Sequence, residues 1–162
     1  MLTALYVVLS ILTPIKLLSF KFTFEAFPIL IAGILFGPLE GLAVGTVGSG
    51  IYQVFLSSYG ITPTTPLWIL PHAFSGFLVG MLTKAMHRES YGTICLTAVL
   101  SAFSVTLLNT LALYVDSKMY GYYSYALVFG TVIWKLLTGA ILAALFAAIL
   151  PKLLSQLRKI VK

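Results

Sequence analysis

Apolar residues fill most of this chain, and the polar ones gather where they cut it into segments. A membrane-spanning helix needs roughly 17–25 mostly apolar residues. Six stretches approach that pattern, over about 2–18, 23–36, 39–56, 66–85, 93–115 and 125–150. Gly37-Pro38 marks a tight turn between the second and third. Ser57 to Thr65 reads as a loop by composition. Thr65-Pro66 then reads as a helix start, with a hydroxyl at the N-cap and proline at the first helical position. Pro14 stands near the outer end of the first span, and Pro71 lies one turn into the fourth. Lys84 to Gly92 and Asp116 to Ser124 are polar loops, and a basic tail follows Leu150. The pattern predicts an all-α membrane protein: one domain over 1–162, with six transmembrane helices in one compact bundle.

Composition strengthens that reading. The chain is 60% hydrophobic and 9% charged, against about 25% charged in a typical soluble chain. Mean hydropathy is +1.05. So few charges cannot cover a soluble domain, which excludes a soluble enzyme, a disordered tail and a nucleic-acid-binding domain. The net charge of +6 then marks topology rather than an anionic partner. One set of ends carries Lys84, Arg88, Lys152, Arg158, Lys159 and Lys162; the other carries Lys16, Lys21 and Lys118. The richer side is cytoplasmic by the positive-inside rule, so both termini are expected there. No cleavable leader is expected, because Leu2 to Leu12 has neither a basic start nor an Ala-x-Ala-like site. Cys95 is the only cysteine, so no intrachain disulfide and no cysteine-based metal cluster is expected.

The polar side chains within the spans carry the candidate chemistry. Such groups are costly in hydrocarbon and tend to face a bundle interior or cavity. They concentrate in the outer half: Thr23 and Glu25 begin the second span, and Gln53 lies near the outer end of the third. His72 is roughly 9 Å into the fourth, Asn109 is at a similar depth in the fifth, and Lys135 is deepest at roughly 15 Å into the sixth. The inner halves read as mainly Leu, Ile, Val, Ala and Gly. Helical spacing puts Trp68, His72 and Ser75 on one face, Asn109 and Asp116 on another, and Thr131, Lys135 and Thr138 on a third. Three polar stripes at matching depth are what an outward-facing pocket for a polar organic molecule requires. Trp68 would stack on a planar ring, and Lys135 would neutralise an anion.

Each residue also has a structural reading. Lys135 pairs with Glu25 or Asp116 and holds the bundle together; His72 is a packed core histidine; Asn109 and Gln53 are interhelical glue, worth about 0.6 kcal/mol each. Trp134 points about 100° away from Lys135, toward lipid or packing. Tyr59, Trp68, Tyr120, Tyr122, Tyr123 and Tyr125 crowd the outer ends as an interfacial belt, one-sided in this chain. Glycine pairs four apart (Gly33 and Gly37, Gly41 and Gly45, Gly76 and Gly80) allow close helix approach. No Walker A pattern, H-E-x-x-H or G-x-S-x-G occurs, and His72 and His87 fall on opposite sides. The chain is therefore expected to be no enzyme, to hold no cofactor or metal, and to hydrolyse no ATP itself.

The stretch Phe27-Pro28-Ile29-Leu30-Ile31-Ala32-Gly33-Ile34-Leu35-Phe36-Gly37-Pro38-Leu39-Glu40-Gly41-Leu42-Ala43-Val44-Gly45 resembles the F-P-x-x-x-A-x-x-x-F-G-P-x-x-G-x-x-V-G run of S components of energy-coupling-factor (ECF) importers. Ser75-Gly76-Phe77-Leu78-Val79-Gly80 resembles their fourth helix. The resemblance implies a small six-helix, vitamin-binding subunit in a prokaryotic plasma membrane. It implies partners too: a vitamin substrate, a transmembrane coupling protein and two cytoplasmic ATPases that hydrolyse the ATP, with lipid around the subunit and no nucleic acid. Toppling in the membrane would release the vitamin inside. The sequence departs from the family's first-helix A-x-x-x-A, having Ala4 followed by Val8. It also reads Phe22-Thr23-Phe24-Glu25-Ala26 and Gly48-Ser49-Gly50 where folate-type members carry an arginine and an aspartate. The folate and pantothenate-like branch is the expected one. Folate-like substrates are favoured, with pantothenate, pyridoxine or a thiamin precursor as alternatives. The expected substrate-binding residues are Lys135, Trp68, His72, Asn109, Glu25 and Gln53, covered by the loops from Thr13 to Lys21 and from Ser57 to Thr65. The competing readings are a self-sufficient homo-oligomeric carrier or channel, and a purely structural membrane protein.

Overall fold

The structure is a computed structural model that describes the chain apart from residues 13–14, 18–19, 23, 58–59, 87–90, 131 and 162. In 15–17, 20–22, 158, 160 and 161 it describes the backbone alone. Thr13, Thr23, Tyr59, His87, Arg88, Thr131 and Lys162, and the side chains of Lys16, Lys21 and Arg158, therefore lie outside the described residues.

The elements run α1 (Leu2–Leu12), β1 (Ile15–Leu17), β2 (Phe20–Phe22), α2 (Ala26–Leu35), α3 (Pro38–Ile51) with a π-helical turn (Tyr52–Leu56), α4 (Thr65–Ala85), α5 (Tyr91–Met119), the short α6 (Tyr125–Phe129) and α7 (Val132–Val161). By length and composition, α3 with its π-turn, α4, α5 and the α6–α7 run can each cross a membrane; α1 and α2 are shorter apolar helices. These six segments pack into one bundle. Leu2 of α1 and Leu153 and Leu157 of α7 pack on the same end of the core, so both termini leave the bundle on one side.

Several boundaries differ from the sequence expectation. The first span was expected to reach Leu18, but α1 is described to Leu12, and Ile15–Leu17 is a strand. Ile15–Leu17 and Phe20–Phe22 then pair antiparallel, Ile15 opposite Phe22 and Lys16 opposite Lys21. The apolar–Lys–apolar alternation of both triplets is the period-two pattern of a strand. The second span begins at Ala26 rather than Thr23. The α4 helix has its N-cap at Thr64, one residue before the expected Thr65. The sixth span is interrupted: Gly130 closes α6, bonding back to the Ala126 carbonyl at 3.0 Å, and α7 continues to Val161 through the tail.

Backbone contact sets the register of α2, α3 and α4. Gly37 joins α2 to α3 with φ of +117°, a conformation that suits glycine. A β-carbon on Gly41 would stand 2.4 Å from the Gly76 carbonyl oxygen, and one on Gly45 would stand 2.3 Å from that of His72. The α2 helix lies along α4 as well: Gly33 faces Gly76 and Gly80, and Ile29 reaches Gly76. Continuing that offset outward sets Glu25 level with His72.

In its inner half the core lies between α2, α4, α5 and α7. It is filled by Leu30, Ile31, Ile34, Val79, Ile94, Ala98, Phe146 and Leu150. The expectation that this half holds few polar groups fails along α5, where Thr93, Thr97 and Ser101 are buried. Local hydrogen bonding makes them tolerable: Thr97 donates to the Ile94 carbonyl at 2.9 Å. Ser101 and Ser75 share a hydrogen bond of 2.6 Å that ties α5 to α4.

A second tie closes the outer ends. Asp116 of α5 accepts hydrogen bonds from the Thr64 hydroxyl at the start of α4 and from the Tyr122 hydroxyl in the α5–α6 loop. Lys118 Nζ sits 4.0 Å from the centre of the Tyr123 ring, a cation–π contact. The tyrosine-rich loop thus clasps α5, and part of the belt expected at the headgroups serves this contact.

Gly41→Ala should lower stability by about 1–3 kcal/mol through overpacking. Gly50→Ala, whose β-carbon would meet only Ile69 Cδ1 at 3.8 Å, should be neutral or stabilising. Thermal unfolding in detergent separates the two. By the same assay Asp116→Ala should cost about 1–3 kcal/mol, because the Thr64 and Tyr122 hydroxyls lose their acceptor.

Candidate functional site

The site begins with a missing length of helix. The ten residues of α2 rise about 15 Å, half of a bilayer core of about 30 Å. The helices α4, α5 and α7 continue outward past its start. Among the described residues, the column that α2 fills in the inner half is therefore walled but not filled by helix in the outer half.

Polar residues line that column because each wall helix carries its core face outward. On α4, Val79 is in the core, and His72 and Trp68 lie seven and eleven residues before it, on the same face. On α5, Ala98 is in the core and Ala102 packs against it; Asn109 lies eleven and seven residues beyond them. On α7, Phe146 is in the core with Leu142 packed on it, and Lys135 lies eleven and seven residues before them. Phe146 meets the Phe24 and Phe27 rings at 6.0 and 5.3 Å, so this face of α7 points at the column of α2.

Depth agrees with direction. The Thr64–Asp116 and Ser75–Ser101 hydrogen bonds fix how α4 lies against α5, and between them Trp68 falls level with Asn109. Gly139 of α7 faces Ala102 and Thr106 of α5, so Lys135, one turn outward, is also near the level of Asn109. Trp68, His72, Asn109 and Lys135 are all half-buried. Trp134 is 57% exposed and faces away, as its position beside Lys135 implied.

Glu25 forms the floor, just ahead of the first turn of α2. Its Oε2 accepts a hydrogen bond from Ser10 Oγ at 2.9 Å, and its Oε1 lies 3.9 Å from His72 Nε2. The Tyr6 ring meets His72 edge-on with centroids 5.7 Å apart, and packs where Gly48 leaves no room for a side chain. Tyr6 and Ser10 were absent from the expected site. Their signal was available, since they stand four apart on the first span and so share a face, and Ser10 interrupts an apolar run.

Two sequence readings change. The pairing of Lys135 with Glu25 or Asp116 is not found: among the described residues Glu25 is engaged by Ser10 and His72, and Asp116 by Thr64 and Tyr122. Gln53 sits on a π-helical turn rather than on regular α-helix, outward of Gly50, which lies beside Ile69 of α4. Its helix packs on α1, α2 and α4. Of the two expected covers, the first is described at 15–17 and 20–21 as backbone alone, and the second is described apart from 58–59.

The model of the family described as "ECF transporter, substrate-specific component" matches residues 1–154 of this chain. A solved structure titled as the S-component for biotin from an ECF-type ABC transporter, determined at 2.1 Å, aligns with a TM-score of 0.62. That alignment covers 91% of this chain and 85% of that chain, at 14% sequence identity, and so bears on the fold. No curated protein matches the sequence. A family pattern spanning nearly the whole chain, on a bundle of the same fold, identifies a transporter subunit rather than an enzyme, and the chain belongs to the ECF transporter substrate-specific component family.

Proposed function

We propose that this subunit captures a water-soluble vitamin in the outer column above α2 and delivers it inward. Delivery would proceed by docking on a transmembrane coupling protein driven by two cytoplasmic ATPases. The subunit sits in a prokaryotic plasma membrane with both termini in the cytoplasm. The observation that carries the reading is the change from apolar to polar on three converging helix faces at the depth where α2 begins. Packing alone does not call for it, since Val79, Ala102 and Leu142 serve on the same faces two turns inward.

Lys135 is the anion partner, Trp68 the stacking platform, Asn109 a two-way hydrogen-bonding group, and Glu25 with His72 the floor. Gln53 stands apart from this set. Folate-like substrates remain the favoured class from the sequence resemblance. Biotin, named for the related structure, also carries a carboxylate and a ring system, and belongs beside folate in any screen.

Lys135→Ala and Trp68→Ala should each weaken substrate binding at least tenfold, or about 1.4 kcal/mol. Gln53→Ala should change it by less than about twofold. Calorimetry with the vitamin found by mass spectrometry to co-purify with the detergent-solubilised protein checks all three; unchanged affinity in both of the first two variants removes this column as the site. Purified chain in liposomes should show no net vitamin uptake until the coupling protein and ATPases are added. Uptake by the chain alone would establish the carrier reading instead.

A further inference from the structure

We infer that the column is bipolar and selects an elongated substrate, with an N–H-bearing ring held at the Glu25 floor and a carboxylate or phosphate held at Lys135. This assignment rests on the vitamin-capture reading and specifies the substrate class that such a site admits.

The two charges are opposite, yet the fold keeps them apart. In a low-dielectric interior, opposite charges that can meet attract strongly. Glu25 instead turns to Ser10 and His72, on the α1 and α4 side. Lys135 makes no ion pair among the described residues. A lysine ammonium offers three donors and no acceptor. Half-buried on the wall, with no carboxylate to satisfy it, it is matched by an anionic group on the substrate.

The floor has the opposite character. An ionised carboxylate only accepts hydrogen bonds, and its two oxygens offer about four sites. Ser10 takes one at 2.9 Å; the His72 contact of 3.9 Å is too long for a hydrogen bond and leaves Oε1 with acceptor capacity. Such a floor repels an anion and suits ring or amide N–H groups. Asn109, on the wall between, both donates and accepts.

Separation sets the length. Glu25 is level with His72. Lys135 is near the level of Asn109 and Trp68, about one turn outward of His72. That rise of about 6 Å, with a spacing of about 8–10 Å between neighbouring helices, sets the two positions on the order of 10 Å apart. A single small ring cannot reach both. A ring system with an acidic tail can, and its flat part then lies at the level of Trp68.

The test uses the full chain in detergent and isothermal calorimetry with biotin, folate, pantothenate, pyridoxine and thiamin, plus the methyl esters of biotin and folate. The tightest binder should be biotin or folate, and its ester should bind at least tenfold more weakly. In Lys135→Met the free acid and its ester should bind alike. Glu25→Gln should weaken acid and ester by the same factor, at least tenfold. The acid-to-ester ratio within one variant is insensitive to partial loss of folded protein, so it reports on Lys135 itself. A Lys135→Met variant that keeps the wild-type ratio, or a Glu25→Gln variant of unchanged affinity, overturns the assignment. So does tightest binding of pyridoxine or thiamin; if Trp68→Ala abolishes that binding, the column stands as the site and only its polarity is wrong. Binding of none of the five vitamins removes the vitamin-capture reading, and the bipolar assignment with it.

Discussion

The ten residues of α2 rise about 15 Å through a bilayer whose core is about 30 Å thick. That shortfall shapes the rest of the molecule. Where α2 is present, its Leu30, Ile31 and Ile34 fill the space between α4, α5 and α7, and the inner half of the bundle is a closed apolar core. Outward of its start the same three helices continue, and among the described residues no fourth helix stands between their core faces. Lining such a space with apolar side chains would leave a dry void or a wetted apolar surface, both unfavourable. On those faces stand Trp68, His72, Asn109 and Lys135.

Close backbone packing keeps α2 at the depth that makes this possible. Gly33, Gly41, Gly45 and Gly76 remove the side chains that would hold α2, α3 and α4 apart. The contacts of Ile29 and Gly33 with α4 then fix where α2 starts. Glu25, immediately before that start, is held at the floor by Ser10 and faces His72. At the outer ends Asp116 gathers Thr64 and Tyr122, so this carboxylate is committed to tying loops. The deepest cation in the bundle is left facing the column.

Much of this was legible from residue order. Long apolar runs exposed the spans, because hydrocarbon tolerates few charges. The i, i+4, i+7 spacing of Trp68, His72 and Ser75 exposed a shared face, because helical geometry is local. Other features were masked by competing patterns. The Ile15–Leu17 and Phe20–Phe22 pairing was hidden inside an apolar run, although its alternation was readable. Buried Thr93, Thr97 and Ser101 on α5 were passed over because hydroxyls contribute little to hydropathy and can bond within their own helix. Tyr6 and Ser10 escaped notice because their role depends on Glu25, fifteen residues beyond Ser10.

The sequence by itself determined a six-helix membrane bundle, the family run from Phe27 to Gly45, and an outer leaflet enriched in polar side chains. These follow from local properties: hydropathy, helical periodicity and motif spacing. Only the tertiary structure decided which polar residues belong together. It put Gln53 on a π-helical turn, brought Ser10 to Glu25, and set Asn109 and Lys135 near one level. Those outcomes depend on how far each helix is displaced along its neighbours. That displacement is fixed by side-chain and backbone contacts between distant parts of the chain, which no local pattern in the sequence encodes.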